Sequence, residues 1–268
     1  MTSYNQSNFQ LSPSPAQPPF ASLRLRAQLA VAALAATVAV ELISIPVNAA
    51  LISRLSSFAD LSAVYEMGEE FSLTEILSVL VTLLLLVVYI VAVVLFLMWL
   101  HRAYRNLPAL TAMKPETSPG WAVGSWFIPI LNLFRPYQIV KEAWEKSDPA
   151  RDISGAYVSS DPSRSTTLLA VWWGFWVVSN IVSNISGRLD WRAETVREYL
   201  TIAWLDIAAS VFSVVAGVLV IQVVRNISHM QETKFQRHAP LGPPPPPESF
   251  GDAPATMMLT GARNFREI

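Results

Sequence analysis

The amino-acid sequence predicts an all-α, polytopic membrane protein with four transmembrane helices and a helical hairpin between the second and third of them. The 268-residue chain is 52% hydrophobic and only 15% charged, with a mean hydropathy of +0.38, whereas a soluble domain is about a quarter charged. Four apolar runs reach the ~20 residues that a helix needs to cross a bilayer. A further apolar stretch is too short to cross and is broken by prolines.

The four spans are predicted at residues 27–53, 76–100, 166–186 and 200–224. Each must be helical in lipid, because backbone N–H and C=O groups find no water there. The first run follows Arg24 and has some features of a signal peptide. We expect an uncleaved helix, because the preceding segment is long for a signal peptide and the apolar character continues through Ile52. Cleavage stays open as an alternative.

The short apolar stretch lies within a predicted hairpin at residues 119–147. Residues 121–134 are uncharged, and as a helix they would reach about 21 Å, against a hydrocarbon core of about 30 Å. Ser118 and Pro119 predict a capped helix start. Pro129 predicts a bend, and the amide of Asn132 is expected to satisfy groups that the bend frees. The stretch is therefore predicted to turn back without crossing.

The second half of the hairpin, from Pro136, is predicted to be amphipathic. Ile139, Val140, Ala143 and Trp144 share one face. The charged residues Lys141, Glu142, Glu145 and Lys146 lie opposite, and Lys141 with Glu145 and Glu142 with Lys146 form predicted i,i+4 pairs. This pattern predicts a helix in the membrane interface with its apolar face in lipid. A re-entrant hairpin and one that lies flat on the surface both stay open.

The distribution of Lys and Arg predicts that both termini and the hairpin lie on the cytoplasmic side. Basic residues concentrate in the pieces that four spans place on the inside, which is the usual bias in membrane proteins. The inside pieces hold Arg24, Arg26, Arg102, Arg105, Lys114, Arg135, Lys141, Lys146, Arg151, Arg164, Arg225, Lys234 and Arg237; the outside pieces hold Arg54, Arg188, Arg192 and Arg197.

Polar segments flank and connect the spans. Residues 1–22 and 231–268 are predicted to be disordered, Pro-rich cytoplasmic tails around a membrane domain at 23–230. The prolines at 243–247 fit either a partner-docking polyproline helix or, as we favour, a solubilising linker. The loop after the first span is acidic, and we interpret it as solvated because it lacks the ligand spacing of an EF-hand. Its charges are Asp60, Glu66, Glu69, Glu70 and Glu75, against Arg54.

Two carboxylates, Glu41 and Asp206, fall inside predicted spans. Intramembrane carboxylates are costly and by default suggest ion coupling or a proton relay, although protonation or a place near the aqueous boundary also explains them. Just past the second span, Arg102 and Arg105 share a helical face and are candidates for binding anionic headgroups. Ordinary snorkelling of these arginines is an equal alternative.

The sequence contains no recognisable catalytic or cofactor motif: no P-loop, dinucleotide fingerprint, HExxH or GxSxG occurs. There is no cysteine, so disulfides and thiolate metal sites are excluded. The net charge of −1 gives no general attraction to nucleic acid. We therefore expect a non-enzymatic protein without a cofactor and without a nucleic-acid partner.

Three stretches carry a family resemblance: HRAYRNLPAL at 101–110, SPGWAVGSWFIPILNLFRPYQIVKEAWEKSDP at 118–149, and VWWGFWVVSNI at 171–181. Over roughly residues 76–225 the chain resembles the bacterial membrane family known as domain of unknown function 4328. The resemblance implies a multi-pass protein of the bacterial cytoplasmic membrane with no established activity. The positions that it singles out are Arg102, Arg105, Asn106, Pro119, Trp121, Trp126, Pro129, Asn132, Arg135, Pro136, Glu142, Trp144, Trp172 and Trp173.

Two functional hypotheses follow from these patterns. In the first, the cytoplasmic hairpin and its arginines engage lipid headgroups or a partner protein, because aromatic and basic residues concentrate there. In the second, the chain is a small-solute or ion transporter that uses Glu41 and Asp206, with the hairpin as a gate.

Overall fold

The computed structural model describes residues 19–57, 73–156 and 165–238. Of these residues 82% are helical, and none of them lies in a β-strand. Two short 3₁₀ turns interrupt the hairpin, at Ser125–Phe127 and Leu131–Leu133. The helices are α1 (Arg24–Leu55), α2 (Leu73–Leu110), α3 (Pro119–Gly124), α4 (Arg135–Ser147), α5 (Thr167–Asp190) and α6 (Val196–His238).

Four helices, α1, α2, α5 and α6, are long and apolar enough to cross a membrane. The shortest of them, α5, has 24 residues, and about 20 suffice. Each of the four predicted spans falls within one of these helices, except that α5 begins at Thr167, one residue after the predicted start. The predicted all-α fold with four helices able to span a membrane is therefore confirmed, and no fifth helix of the described residues qualifies.

The first and last long helices pack closely. Ser44 Oγ of α1 and Ser210 Oγ of α6 are 3.1 Å apart and share a hydrogen bond. One contact requires a glycine: a Cβ placed on Gly217 would meet Cγ2 of Val38 at 2.5 Å. Small residues of this kind let two membrane helices approach.

The surface of the long helices is apolar and exposed, above all along the first half of α2. A soluble protein rarely leaves so large a contiguous apolar patch in water, so this surface fits hydrocarbon. The exposed side chains of α2 include Leu77, Leu80, Leu83, Leu84, Val87, Ile90, Val91 and Val94.

Beyond the apolar runs, α2 continues to Leu110 and α6 to His238, and α4 lies against both. We call this part of the molecule the hairpin end. Its interior is a tightly packed core of large apolar side chains, and within it Trp99 Nε1 donates to Ser228 Oγ at 2.9 Å. The buried residues are Trp99, Leu100, Tyr104, Leu107, Ile139, Val140, Trp144, Val223, Val224, Ile227 and Met230.

A buried amide pair, Asn106 and Gln231, joins four segments at the hairpin end. Asn106 Nδ2 of α2 donates to Gln231 Oε1 of α6 at 3.2 Å and to the carbonyl of Ala21 at 2.9 Å. Gln231 Nε2 donates to the carbonyl of Ala103 at 2.9 Å and to Ser147 Oγ of α4 at 3.0 Å. Buried polar groups are stable only when paired in this way.

Two sequence predictions are wrong at this end. The C-terminal tail was predicted from residue 231, yet α6 continues through this region because Gln231 and Lys234 are buried and hydrogen-bonded. The tail predictions for residues 1–18 and 239–268 lie outside the described residues, as does most of the acidic loop. In its described part, Glu75 pairs with Arg54 at 3.9 Å.

The second correction concerns α4, whose apolar face is covered by protein and is not in lipid. Val140 and Ala143 are fully buried, and Ile139 and Trp144 nearly so. The reason is that the ends of α2 and α6 extend past the spans and supply an apolar surface for this helix.

Substitution of Gln231 by Leu should destabilise the protein by about 1–3 kcal/mol, because Asn106 and Ser147 would lose buried partners. The measurement is thermal unfolding in mild detergent. Gln236, which is exposed on the same helix, gives the matched control, and Gln236→Leu should leave the melting temperature nearly unchanged. Equal effects of the two changes would contradict the role of the amide pair.

Candidate functional site

The proline-broken segment, residues 119–134, begins as its sequence predicts. Ser118 has an extended backbone and its Oγ accepts a hydrogen bond from the backbone N–H of Trp121 at 3.2 Å, with Pro119 at the first helical position. After six residues α3 tightens into a 3₁₀ turn and then bends at residues 128–130. The predicted cap is confirmed.

At the bend the segment satisfies part of its backbone through its own turns. The N–H of Asn132 donates to the carbonyl of Ile128 at 2.8 Å. The side-chain oxygen of Asn132 has no partner among the described residues, and neither do Ser125 Oγ and Trp126 Nε1. The predicted role of the Asn132 amide donor at the bend stays a prediction.

Aromatic contacts hold the bend against α2 and α5. The ring of Trp126 lies edge-on to Phe96 at 5.4 Å, to Trp173 at 6.1 Å and to Trp176 at 6.0 Å between ring centroids. Trp173 stacks on Trp176 at 4.6 Å, and its Nε1 donates to the carbonyl of Leu133 at 3.2 Å. Each such aromatic pair contributes about 0.5–1.5 kcal/mol beyond its buried area. We call Phe96, Trp126, Trp173 and Trp176 the tryptophan cluster.

The outer face of the same bend is apolar and exposed. The exposed fraction is 70% for Phe127, 76% for Ile130 and 64% for Phe134. We call these three side chains, with the partly exposed Ile128 and Leu133, the apolar knob. A cluster of this kind on a bend marks a surface that contacts a partner or a membrane.

Behind the knob, α4 is fixed by a buried carboxylate. Glu142, which is only 7% exposed, accepts hydrogen bonds from the hydroxyl of Tyr104 and from the N–H of Glu116 at 2.8 Å, and it pairs with Lys146. The sequence placed Glu142 on the solvated face of α4, and the i,i+4 pair with Lys146 is present. Its burial was not predicted, because it depends on Tyr104 of another helix.

The loop after α4 turns back onto the end of α2. The N–H of Ala112 donates to the carbonyl of Ile153 at 2.8 Å. In this loop the hydroxyl of Ser154 and the N–H of Ala156 donate to Asp152, and these bonds lower the pKa of its carboxyl. A polar cavity of about 570 Å³ lies between this loop and α4. Several of the charged side chains that line this cavity form ion pairs with each other, for example Lys141 with Glu145 at 3.8 Å.

On another side of the hairpin end, three arginines converge. The guanidinium of Arg26 donates to the carbonyl of Met98 at 3.3 Å. The positive charges of Arg26, Arg102 and Arg105 all act on His101. The sequence singled out Arg102 and Arg105 correctly as neighbours, whereas Arg135 bonds to Gln138 on its own helix at 2.9 Å. The sequence analysis uses the third arginine, Arg26, only to assign which side of the membrane the N-terminus occupies.

The two intramembrane carboxylates of the sequence analysis are brought together. Glu41 is within hydrogen-bonding reach of Ser210 and Ser213, and its charge interacts with that of Asp206. Asp206 accepts a hydrogen bond from Ser186 Oγ of α5 at 2.5 Å. Three helices thus meet at one polar cluster. Across residues 19–57, 73–156 and 165–238, no group of His, Asp and Glu has a metal-binding arrangement.

The other residues that the sequence singled out contribute to packing, to the bend or to α3. Pro136 and Trp144 are buried in the packing of α4, Asn106 is in the amide pair, Pro129 is at the bend, and Trp121 is half-exposed on α3. Sequence reasoning missed Gln231, Tyr104 and Lys234. Lys234 Nζ donates to the carbonyl of Lys146 at 3.0 Å although this lysine is almost fully buried. A polar residue on an apolar helical face is the signal that was available for Gln231.

In a comparison with known protein families, a family model described as "Domain of unknown function (DUF4328)" matches residues 66–229. This region runs from just before α2 into the last third of α6, and includes the proline-broken segment, α4, α5 and most of the residues discussed above. No curated protein and no solved structure matches the chain.

Proposed function

The chain belongs to the DUF4328 family, and on that premise we propose that it is a non-enzymatic, multi-pass membrane protein whose hairpin end engages lipid. In this proposal the apolar knob enters the hydrocarbon and the neighbouring arginines bind headgroups. A protein partner, bound at the hairpin end or through the Pro-rich tails, would add to this role. The sequence contains no recognisable catalytic motif that would point to an enzyme.

The observation that carries the proposal is the exposure of the apolar knob. Phe127, Ile130 and Phe134 would each gain about 1.5–3 kcal/mol on leaving water, and a soluble surface would not keep three such side chains on one bend. In a membrane, the exposed apolar side chains of the long helices face hydrocarbon. The simplest environment for the knob is therefore the same hydrocarbon.

The position of the tryptophan cluster along the predicted spans supports entry of the proline-broken segment into the membrane. Trp126 contacts Phe96 and Trp176, and both of these residues lie inside predicted spans. Trp176 follows the start of α5, Thr167, by nine residues, which is about 14 Å at 1.5 Å per residue. This depth, together with the return of the chain to α4 on the same side, supports the proposal of a re-entrant segment.

Arginines lie where headgroups are expected. Arg102 and Arg105 follow directly after the second predicted span, and within the described residues no carboxylate forms an ion pair with either of them. Basic residues in this position attract anionic lipid by about 1 kcal/mol each. Arg135, which begins α4 beside the knob, adds a further positive charge.

Single-cysteine labelling tests the depth of the knob directly, because the chain contains no cysteine. We expect a nitroxide on Ile130→Cys in nanodiscs to be relaxed strongly by oxygen and weakly by a water-soluble nickel chelate. The matched control is Gln138→Cys on the exposed polar side of α4, where the chelate should dominate. Equal access of the chelate to both labels would refute insertion.

We further propose that this end faces the cytoplasm of a bacterium, because basic residues gather there. A cysteine at Ser154, which is exposed in the loop after α4, should react with an impermeant maleimide only after cells are opened. Arg192→Cys, in the connection between α5 and α6, should react in intact cells. Labelling of Ser154→Cys in intact cells would reverse the orientation.

A second candidate function, a small-solute or ion transporter, is favoured by the meeting of Glu41, Asp206 and their serine partners. Carboxylates and hydroxyls inside a membrane are typical of proton and cation paths. This cluster lies away from the hairpin end, within the spans of α1, α5 and α6.

Under this second candidate, proteoliposomes that hold a pH-sensitive dye should show proton flux under an imposed potential. Asp206→Asn should abolish the flux by removing the titratable group, whereas Asp152→Asn, in the loop after α4, should leave it intact. Flux that is equal with and without protein, or that survives Asp206→Asn, would exclude this use of the cluster.

A further inference from the structure

A groove of about 540 Å³ opens on the side of the hairpin end, between α2, the start of α1 and α3. Its walls are apolar: Val94, Leu97 and Met98 come from α2, and Val123 comes from α3. These α2 residues lie at the end of the second predicted span, so the groove is continuous with the lipid-facing surface of the same helix. An acyl chain in the groove would therefore stay in contact with hydrocarbon along its length.

The rim of the groove is cationic. Arg26 and His101 line it, and the charges of Arg102 and Arg105 act on the same histidine. Arg26 is held in place by its bond to the carbonyl of Met98, which is itself a wall residue. Across the described residues no acidic side chain forms an ion pair with these three arginines, so the rim keeps its positive charge for an anionic ligand.

We propose that this groove is a binding site for one anionic phospholipid molecule. The phosphate lies among Arg26, Arg102 and Arg105, where guanidinium groups match phosphate oxygens, and one acyl chain follows Val94, Leu97 and Met98. The inference rests on the proposed function, since it names the lipid class that the hairpin end engages. It goes beyond the proposed function because it predicts that one lipid molecule stays bound in the groove, whereas the proposed function requires only a general affinity for a charged membrane surface.

Single substitutions can alter the cationic rim and the apolar groove separately. Arg26→Gln removes a charge from the rim of the groove. Arg237→Gln removes the same charge from the exposed end of α6, where the guanidinium donates to the carbonyl of Pro149, away from the residues that line the groove. Gly120 lines the groove, and a Cβ built on it meets no atom within 4 Å. A Cβ therefore has room at this position, and Gly120→Leu places an apolar side chain at the groove. Gly174→Leu, at an equally open glycine of α5, is its control.

Native mass spectrometry of protein released from nanodiscs of phosphatidylglycerol and phosphatidylcholine in equal amounts measures the retained lipid. The unaltered protein should retain one phosphatidylglycerol in preference to phosphatidylcholine. Arg26→Gln should reduce this preference by about fivefold, as expected for one basic residue near a membrane surface. Gly120→Leu should reduce retention of both lipids. Excess glycerol phosphate should not displace the lipid, because it lacks the acyl chain.

Retention that is unchanged in both Arg26→Gln and Gly120→Leu would overturn the site. Equal loss in the controls Arg237→Gln and Gly174→Leu would also overturn it, because the effect would then be general. Displacement of the lipid by glycerol phosphate would overturn it too. Circular dichroism and melting temperature of each variant identify loss of fold. Arg26→Lys, which keeps the charge without the guanidinium, should retain more phosphatidylglycerol than Arg26→Gln and less than the unaltered protein. Insertion of the label at residue 130 with no retained lipid would refute the groove and leave the proposed function standing.

Discussion

Hydrocarbon offers no hydrogen-bond partner, and this constraint governs how the whole chain is arranged. The four long helices meet it within themselves, whereas the proline-broken segment cannot, because Pro129 has no N–H and residues 128–130 leave the helical pattern. With the insertion that we propose, the segment would meet the constraint partly through short turns of its own, such as the bond from Asn132 to Ile128. Its apolar residues then divide between the tryptophan cluster, which fixes the bend, and the apolar knob, which faces outward.

Features that depend on neighbouring residues in the chain were predictable from the sequence. Hydropathy over about 20 residues located all four long helices, and Ser118 with Pro119 located the start of α3. The pairs Lys141–Glu145 and Glu142–Lys146 follow from helical spacing alone. In each case the residues that decide the structure lie within one helix or one turn.

Features that depend on distant residues were not predictable. The amphipathic pattern predicts which face of α4 is apolar, but such a face can be covered by lipid or by protein. Protein covers it here because α2 and α6 extend past the predicted spans and pack against it. Gln231 was assigned to a polar tail because its partners Ala103 and Ser147 are far away in the chain. The approach of Arg26 to Arg102 likewise requires the packing of α1 on α2, which one sequence without an alignment does not reveal.

The bonds at the hairpin end also bear on the choice between the two candidate functions. A transporter that used the hairpin as its gate would have to move α4 away from α2 and α6. That motion would break the contact of Gln231 with Ser147 and the contact of Glu142 with Tyr104, and a buried polar group left without its partner costs about 1–3 kcal/mol. Trp126 would also leave Phe96 on α2. A hairpin held in this way is suited to presenting a fixed surface to lipid, so any movement that serves the Glu41–Asp206 cluster must occur among α1, α5 and α6.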